Sequence, residues 1–369
     1  MPTVLDWNSP LKAGLAHAPT NGAKSAGHAN IPGAPLDPSP QMLPSQADVI
    51  KQLEPFVSTQ LHWLKPVDQT WQPSDLLPDS SAASWHDEVE TLRQHAQGLH
   101  RDLLVVLVGD TITEEALPAY QTMLNRHGFG DPTGADPSPW AQWTRGWTAE
   151  ENRHGELLGR YLYLCGRIDM RAVEMTTHHL LRNGFDPNTG NDPYQGLTYT
   201  AFQERATRIS HSNVAQLAVK QGDMLLGRLC NVIAGDEARH EEAYKRFVGQ
   251  LITLDPSGAL VAIAKMMRTK VAMPARLMSD GGASDLFERF TAAAQRLGVY
   301  TVRDYAHIIE HLVEYWKIPS VRGLSGEAVK AQEYLCGLAP HYFRLAEKLE
   351  SRSSNQPPIP CGWMLDQAA

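Results

Sequence analysis

Two Glu-x-x-His units, Glu151-Asn152-Arg153-His154 and Glu237-Ala238-Arg239-His240, occur in this chain and nowhere else in it. Each lies in a stretch whose apolar residues recur every three or four positions, the pattern of a helix with one buried face. Around the first unit Glu151, His154, Leu158, Tyr161, Cys165 and Ile168 share that face; around the second Ile233, Glu237, His240, Tyr244, Phe247 and Leu251 do. A residue and its i+3 neighbour project from the same side of a helix, so each unit offers one carboxylate oxygen and one imidazole nitrogen to a single point. A carboxylate on a core-facing stripe needs a partner there, because burying an unpaired charge is very unfavourable. The chain is therefore constrained to a fold in which two long helices face each other across a shared polar centre.

Oxygen and nitrogen donors without thiolate suit iron or manganese. In a ferritin-like four-helix arrangement, two such helices are completed by one Glu from each of two others. Glu114, in Asp110-Thr-Ile-Thr-Glu-Glu-Ala-Leu, shares a face with Leu107, Asp110, Leu117, Gln121 and Leu124. Glu204, in Ala201-Phe-Gln-Glu-Arg-Ala-Thr, shares one with Leu197, Thr200, Thr207 and His211. The predicted ligands are thus Glu114, Glu151, His154, Glu204, Glu237 and His240 around two metal ions. Four carboxylates balance two ferrous ions in charge, whereas four buried carboxylates alone would be strongly disfavoured.

A formal net charge of −8 over 369 residues argues against general nucleic-acid binding. Cys165, Cys230, Cys336 and Cys361 are scattered without a Cys-x-x-Cys pair, so neither a disulfide framework nor an iron–sulfur ligand set is indicated. The best apolar run, Leu103 to Val108, falls far short of the roughly 18–20 residues of a membrane span. Residues 1–45 hold much Pro, Ala and Gly and few large apolar side chains, and read as a flexible arm. They contain no Arg but two Asp, Asp6 and Asp37, which fits a complete plastid transit signal poorly.

From residue 46 onward nearly every periodic segment is helical. The predicted fold class is all-α, a ferritin-like helical bundle with additional C-terminal helices spanning 46–350, followed by a tail over 351–369. Helices are predicted over 47–63, 84–97, 101–127, 138–166, 169–183, 194–221, 223–251, 256–272, 284–297, 301–316 and 325–350. Pro118 falls inside the third of these and removes the hydrogen bond to the carbonyl of Glu114, so a kink or break beside a ligand is expected.

The segments Trp147-Thr-Ala-Glu-Glu-Asn-Arg-His-Gly-Glu-Leu-Leu, Tyr199-Thr-Ala-Phe-Gln-Glu-Arg-Ala-Thr and Ala234-Gly-Asp-Glu-Ala-Arg-His-Glu carry a specific likeness. So do Val106-Leu-Val-Gly-Asp-Thr-Ile-Thr-Glu-Glu-Ala-Leu-Pro and Met273-Pro-Ala-Arg-Leu-Met. The chain resembles the soluble plant-type acyl-[acyl-carrier-protein] desaturases, the stearoyl 9-desaturase family, from about Leu61 to about Leu349. The resemblance implies the same six ligands for two iron ions. It also implies Thr207 close to an oxygen-binding face, and an electron route through Trp71 and Asp236 to His154. It implies acyl carrier protein as bearer of the substrate, ferredoxin as electron donor, O₂ as oxidant, a homodimer, and a plastid location. The family default is a 9,10 double bond in an 18-carbon chain.

An apolar channel must carry the acyl chain past the metals, and Met123, Leu124, Pro187, Tyr199 and Phe202 are its expected walls. Arg126-His127 stand where plant stearoyl enzymes usually have Thr-Leu, which opens the question of chain length and bond position. Carrier protein and ferredoxin are acidic, so docking calls for a local basic patch: Arg268, Lys270 and Arg276, or Arg239, Lys245 and Arg246. A ribonucleotide-reductase small subunit would need a radical Tyr where Leu158 stands. An iron-storage protein would leave the C-terminal helices without a purpose; a non-desaturase di-iron ferritin-like oxidase stands as the alternative reading.

Overall fold

Helix starts are written in side chains. Ser138, Asp169, Asp192, Asp223, Asp255 and Thr301 each accept a hydrogen bond from a backbone N–H of the turn that follows, satisfying donors that have no partner within the helix. Pro139, Pro193 and Pro256 stand in the first turns, where their missing N–H costs nothing. The computed structural model describes residues 44–127, 130–269, 271, 273–282, 285–350 and 362–365. Among these the α-helices are α1 (Pro44–Gln60), α2 (Pro73–Leu76), α3 (Trp85–Gln97), α4 (Arg101–Glu115), α5 (Leu117–Arg126), α6 (Pro139–Cys165) and α7 (Met170–Asn183). They continue with α8 (Pro193–Lys220), α9 (Met224–Leu254), α10 (Pro256–Arg268), α11 (Leu286–Leu297), α12 (Val302–Tyr315) and α13 (Gly326–Glu350). The described residues form no strand beyond an isolated bridge between Ile168 and Met364.

The fold is the all-α ferritin-like bundle with C-terminal helices added. Helices α4, α6, α8 and α9 bring the six predicted ligands into the interior. Between α8 and α9 stand only Gln221, Gly222 and Asp223, with Gly222 at a φ of 95° that favours glycine, so the two long helices return side by side. The predicted helix over 101–127 is instead two helices. The chain breaks at Ala116, just after Glu114, because Pro118 cannot donate to the Glu114 carbonyl. The Tyr120 hydroxyl donates to the Thr113 carbonyl at 2.7 Å, beside the Ala116 N–H that also bonds it, and so ties α5 to the end of α4.

The apolar interior divides into two clusters. One gathers Leu53, Trp140, Trp143, Phe202, Tyr244, Phe247, Ile309 and their neighbours. The other gathers Leu104, Leu107, Leu158, Leu162, Leu229, Phe290 and theirs. Along α6 the first cluster ends at Trp147 and the second starts at Leu157; along α9 the second ends at Ile233 and the first starts at Ala243. Both Glu-x-x-His units occupy these crossovers, so the polar centre sits between two dry masses that hold its helices in register. Of residues 351–369 the structure describes 362–365, and these lie against this interior. Trp363 is fully buried, donates to Thr176 Oγ1 at 3.0 Å, and its carbonyl accepts from Asp169 N at 2.8 Å.

Candidate metal centre

Two groups of buried side chains could each hold a metal ion: Glu114, Glu151, His154 and Glu237, and Glu151, Glu204, Glu237 and His240. Within each group one ligand atom from every residue lies within 4.8 Å of the others. The groups share Glu151 and Glu237, the first residue of each Glu-x-x-His unit. Glu151 turns one oxygen to each imidazole, Oε1 at 2.6 Å from His240 Nδ1 and Oε2 at 3.3 Å from His154 Nδ1. Glu237 Oε1 lies 3.3 Å from His154 Nδ1. Glu114 Oε2 and Glu204 Oε2 face one imidazole each, 3.8 Å from His154 Nδ1 and 3.5 Å from His240 Nδ1. Two carboxylates common to both groups are thus flanked by two Glu–His ends.

Both imidazoles point Nδ1 inward and Nε2 at a carboxylate behind them. For His154 this is Asp236, at 3.7 Å; for His240 it is Glu150, at 3.0 Å. Each backing carboxylate is the residue just before a Glu shared by the two groups, and it supports the imidazole of the opposite helix. Such partners fix ring orientation and make the inward nitrogen a better ligand. Arg239 spans them, 2.5 Å from Asp236 Oδ1 and 2.7 Å from Glu150 Oε2. Trp71 donates to Asp236 Oδ2 at 2.8 Å and lies nearly parallel to His154, ring centres 6.2 Å apart. Thr207 donates to Glu237 Oε2 at 2.8 Å.

Electrostatics fit a cation. Burial, and then the neighbouring charge of Glu151, push the carboxyls of Glu204 and Glu237 above the usual carboxylate range. Burial also opposes ionisation of Glu114, but the nearby His154 imidazole and the hydrogen bond with His211 hold it down at about 2. His154 Nδ1, Glu204 Oε2 and Glu237 Oε1 are buried polar atoms with no hydrogen-bond partner. Such atoms are expensive unless something binds them. All three lie in the two four-residue groups.

A fatty acid desaturase family model matches residues 45–364. The chain belongs to this fatty acid desaturase family. It is 53% identical over 329 residues to the chloroplastic acyl-[acyl-carrier-protein] desaturase of Cucumis sativus, covering 88% of this chain and 83% of the relative. It is 53% identical over 328 residues to the chloroplastic stearoyl-[acyl-carrier-protein] 9-desaturase of Brassica napus, with 88% and 82% covered. To the chloroplastic stearoyl-[acyl-carrier-protein] 9-desaturase 5 of Oryza sativa subsp. japonica it is 51% identical over 326 residues, with 88% and 84% covered.

Two cavities open on the centre of this desaturase. One is lined by Tyr120, Met123, Leu124, Trp147, Phe185 and Tyr199 beside Glu151, Glu204 and Glu237. The other is lined by Asp110, Ser210, His211, Phe287, Phe290 and Tyr300. They share Thr113, Glu114, Gln203, Thr207 and Pro274, so the two meet at the carboxylates. Of the expected channel walls, Met123, Leu124 and Tyr199 line the first cavity; Pro187 and Phe202 line neither. Phe202 turns instead to Tyr305, ring centres 5.0 Å apart, inside the apolar core. Arg126 reaches outward to the Gly190 carbonyl at 3.0 Å, while His127 is buried with Nε2 3.3 Å from Met123 Sδ.

Of the expected basic patch, Arg239 and Lys245 are committed inward, while Arg246 is exposed. Lys245 is buried against Glu241 and Glu242, and Arg246 pairs with Glu242 while lying over Trp63. Arg268 covers the Tyr334 ring, Arg276 is exposed, and Lys270 lies outside the described residues. The sequence reading missed Glu150 and His211. The doublets Glu150-Glu151 and Asp236-Glu237, each opening a Glu-x-x-His unit, were the signal for the first.

Proposed function

We propose that this chain inserts a cis double bond into a saturated fatty acyl chain carried on acyl carrier protein, consuming one O₂ and two electrons. The overall change removes two hydrogens from adjacent methylenes and, with two protons, reduces O₂ to two waters. The observation that carries the reading is the pair of interlocked Glu/His groups opening onto two cavities that meet at Glu114 and Thr207. Its relatives named as acyl-carrier-protein desaturases give the substrate class.

In this reading Glu114, Glu151, His154, Glu204, Glu237 and His240 hold two iron ions. Bound iron supplies the oxygen activation that unactivated methylenes require. The residues do the rest. Asp236 and Glu150 keep the imidazoles turned inward, and Thr207 fixes the free swing of Glu237. The apolar walls, Met123, Leu124, Tyr199, Phe287 and Phe290, exclude water and hold one carbon pair at the carboxylates. Trp71, joined to Asp236, gives electrons a bonded path towards His154. Nothing in the sequence resembles a flavin or iron–sulfur site, so the donor is an external one-electron protein, ferredoxin. A homodimer, a plastid location and 9,10 desaturation of an 18-carbon chain complete the proposal.

The test is turnover by the iron-loaded protein with O₂, reduced ferredoxin and 16:0- or 18:0-acyl carrier protein, followed by location of the double bond. Monounsaturated product is expected, and Glu237→Ala or His240→Ala should abolish it together with most of the iron. No unsaturated product from a protein carrying about two irons per chain would refute the activity.

A further inference from the structure

The two cavities that meet at Glu114 and Thr207 differ in what lies beyond the meeting point. The limb lined by Met123, Trp147 and Tyr199 also holds Glu151, Glu204 and Glu237. The limb lined by Phe287, Phe290 and Tyr300 holds Glu114 alone of the six proposed ligands, and so leads away from the centre. Its other hydroxyls are committed. Thr113 donates to the Gly109 carbonyl at 2.8 Å, Thr207 to Glu237 Oε2 at 2.8 Å, Ser210 to Asp110 Oδ2 at 3.2 Å and Thr291 to the Glu288 carbonyl at 3.1 Å. The Tyr300 hydroxyl is buried and has no hydrogen-bond partner among the described residues. A buried hydroxyl left unpaired is unfavourable, so it marks a place where a ligand atom would be welcome.

The backbone fixes where this hydroxyl stands. Tyr300 lies in the turn between α11 and α12, just after Gly298, whose φ of 71° ends α11 in the left-handed region. Asn213 of α8 donates to the Val299 carbonyl at 3.0 Å, and Thr301 with Asp304 forms the capping box that starts α12. The turn is thus tied on both sides of Tyr300.

We infer that Tyr300 is a substrate-positioning residue whose hydroxyl donates to the thioester carbonyl of the carrier-linked acyl chain. The inference rests on the desaturase reading above. A saturated acyl chain has no polar atom beyond its C1 carbonyl, so that carbonyl is the first acceptor met on the way out from the centre. The other limb runs to Met123, with buried His127 behind it, and suits the methyl half. Apolar walls alone let one methylene stand in for the next. A single placed donor at C1 fixes the register from which the reacting carbons are counted.

The test is binding of 18:0-acyl carrier protein to the iron-loaded full-length protein without reductant. The natural thioester is compared with a thioether analogue that lacks the C1 carbonyl and keeps the pantetheine amides. Wild type should prefer the thioester by about 10-fold, and Tyr300→Phe should bind the two within about 2-fold of each other. A thioester preference that survives in Tyr300→Phe would overturn the inference, even where both ligands bind more weakly, because the hydroxyl would then serve an amide or the packing. A wild type indifferent to the carbonyl would overturn it as well. Without ligand, Tyr300→Phe should melt no lower than wild type; a lower melting temperature would reveal an internal partner for the hydroxyl and count against the assignment. A wild type that binds 18:0-acyl carrier protein no more tightly than the unacylated carrier would instead refute the acyl-carrier reading itself.

Discussion

At the residue scale, several of the proposed ligands hold their protons more tightly than usual. Glu204 and Glu237 are pushed up by burial and by Glu151. Burial pulls His240 down, but hydrogen bonds to Glu150 and Glu151 more than offset it and raise the imidazole well above its ordinary range. Groups with raised pKa hold their protons to higher pH, so metal affinity should fall as pH falls, with protons released on binding. A titration of Co(II) into lightly buffered metal-free protein measures both; affinity constant from about pH 6 to 8 would contradict it. His127 poses the other residue-level question. Burial and then Arg126 hold its pKa at about 4, so it is a neutral wall behind Met123. A Cβ added at Gly196 would lie 2.5 Å from His127 Nε2, so the imidazole fills the room beside α8. His127→Ala should favour longer acyl chains by about 10-fold, since one methylene is worth about 1–3 kcal/mol. Arg126→Thr should leave the product profile unchanged, because its guanidinium bonds the Gly190 carbonyl away from both cavities. Competition among 16:0, 18:0 and 20:0 carriers reads both.

At the element scale, helix bounds were legible because capping residues, prolines and apolar spacing are local. The predicted 194–221 and 223–251 became Pro193–Lys220 and Met224–Leu254. The split at Ala116 followed from Pro118, but a kink and a break look the same in sequence, and packing of α5 decided between them. What ties α8, α9 and α12 together was not legible. Glu241, next to His240, is buried and contacts Arg205 at 2.7 Å, Arg208 at 3.0 Å, Lys245 at 3.0 Å and His311 at 3.4 Å. Burial raises its carboxyl, yet His311 and Arg205 hold it well below the usual range. A depressed carboxyl adds stability above its ordinary range that is lost as pH falls through the native value. Glu241→Gln should cost about 3 kcal/mol, because it leaves buried Lys245 short of its partner. The urea midpoint measures this, and an unchanged midpoint would mean the cluster is neutral to stability.

At the scale of the whole molecule, residues 362–365 pack against the bundle. Trp363 is fully buried in the cluster that includes Leu158, Ile168 and Val173, and Leu365 N donates to the Arg167 carbonyl at 3.1 Å. Trp363→Ala should cost about 3–5 kcal/mol through lost burial and the cavity left behind, read as a lower melting temperature with metal content intact. A melting temperature equal to wild type would show the segment to be dispensable. No helix of the described residues is long and apolar enough to cross a membrane.

By itself the sequence determined the helices, which carboxylate and imidazole side chains share their buried faces, and, through local segments that resemble known proteins, the family. Each of these depends on periodicity or on residues close in the chain. Tertiary structure alone decided which groups meet across helices: Glu150 behind His240, His211 on Glu114, Arg239 between two carboxylates, and Phe202 in the core rather than the channel. The reason is geometric. Spacing says which side chains share a face, but the rotation and axial register that bring two faces together are fixed by the packing of the whole interior.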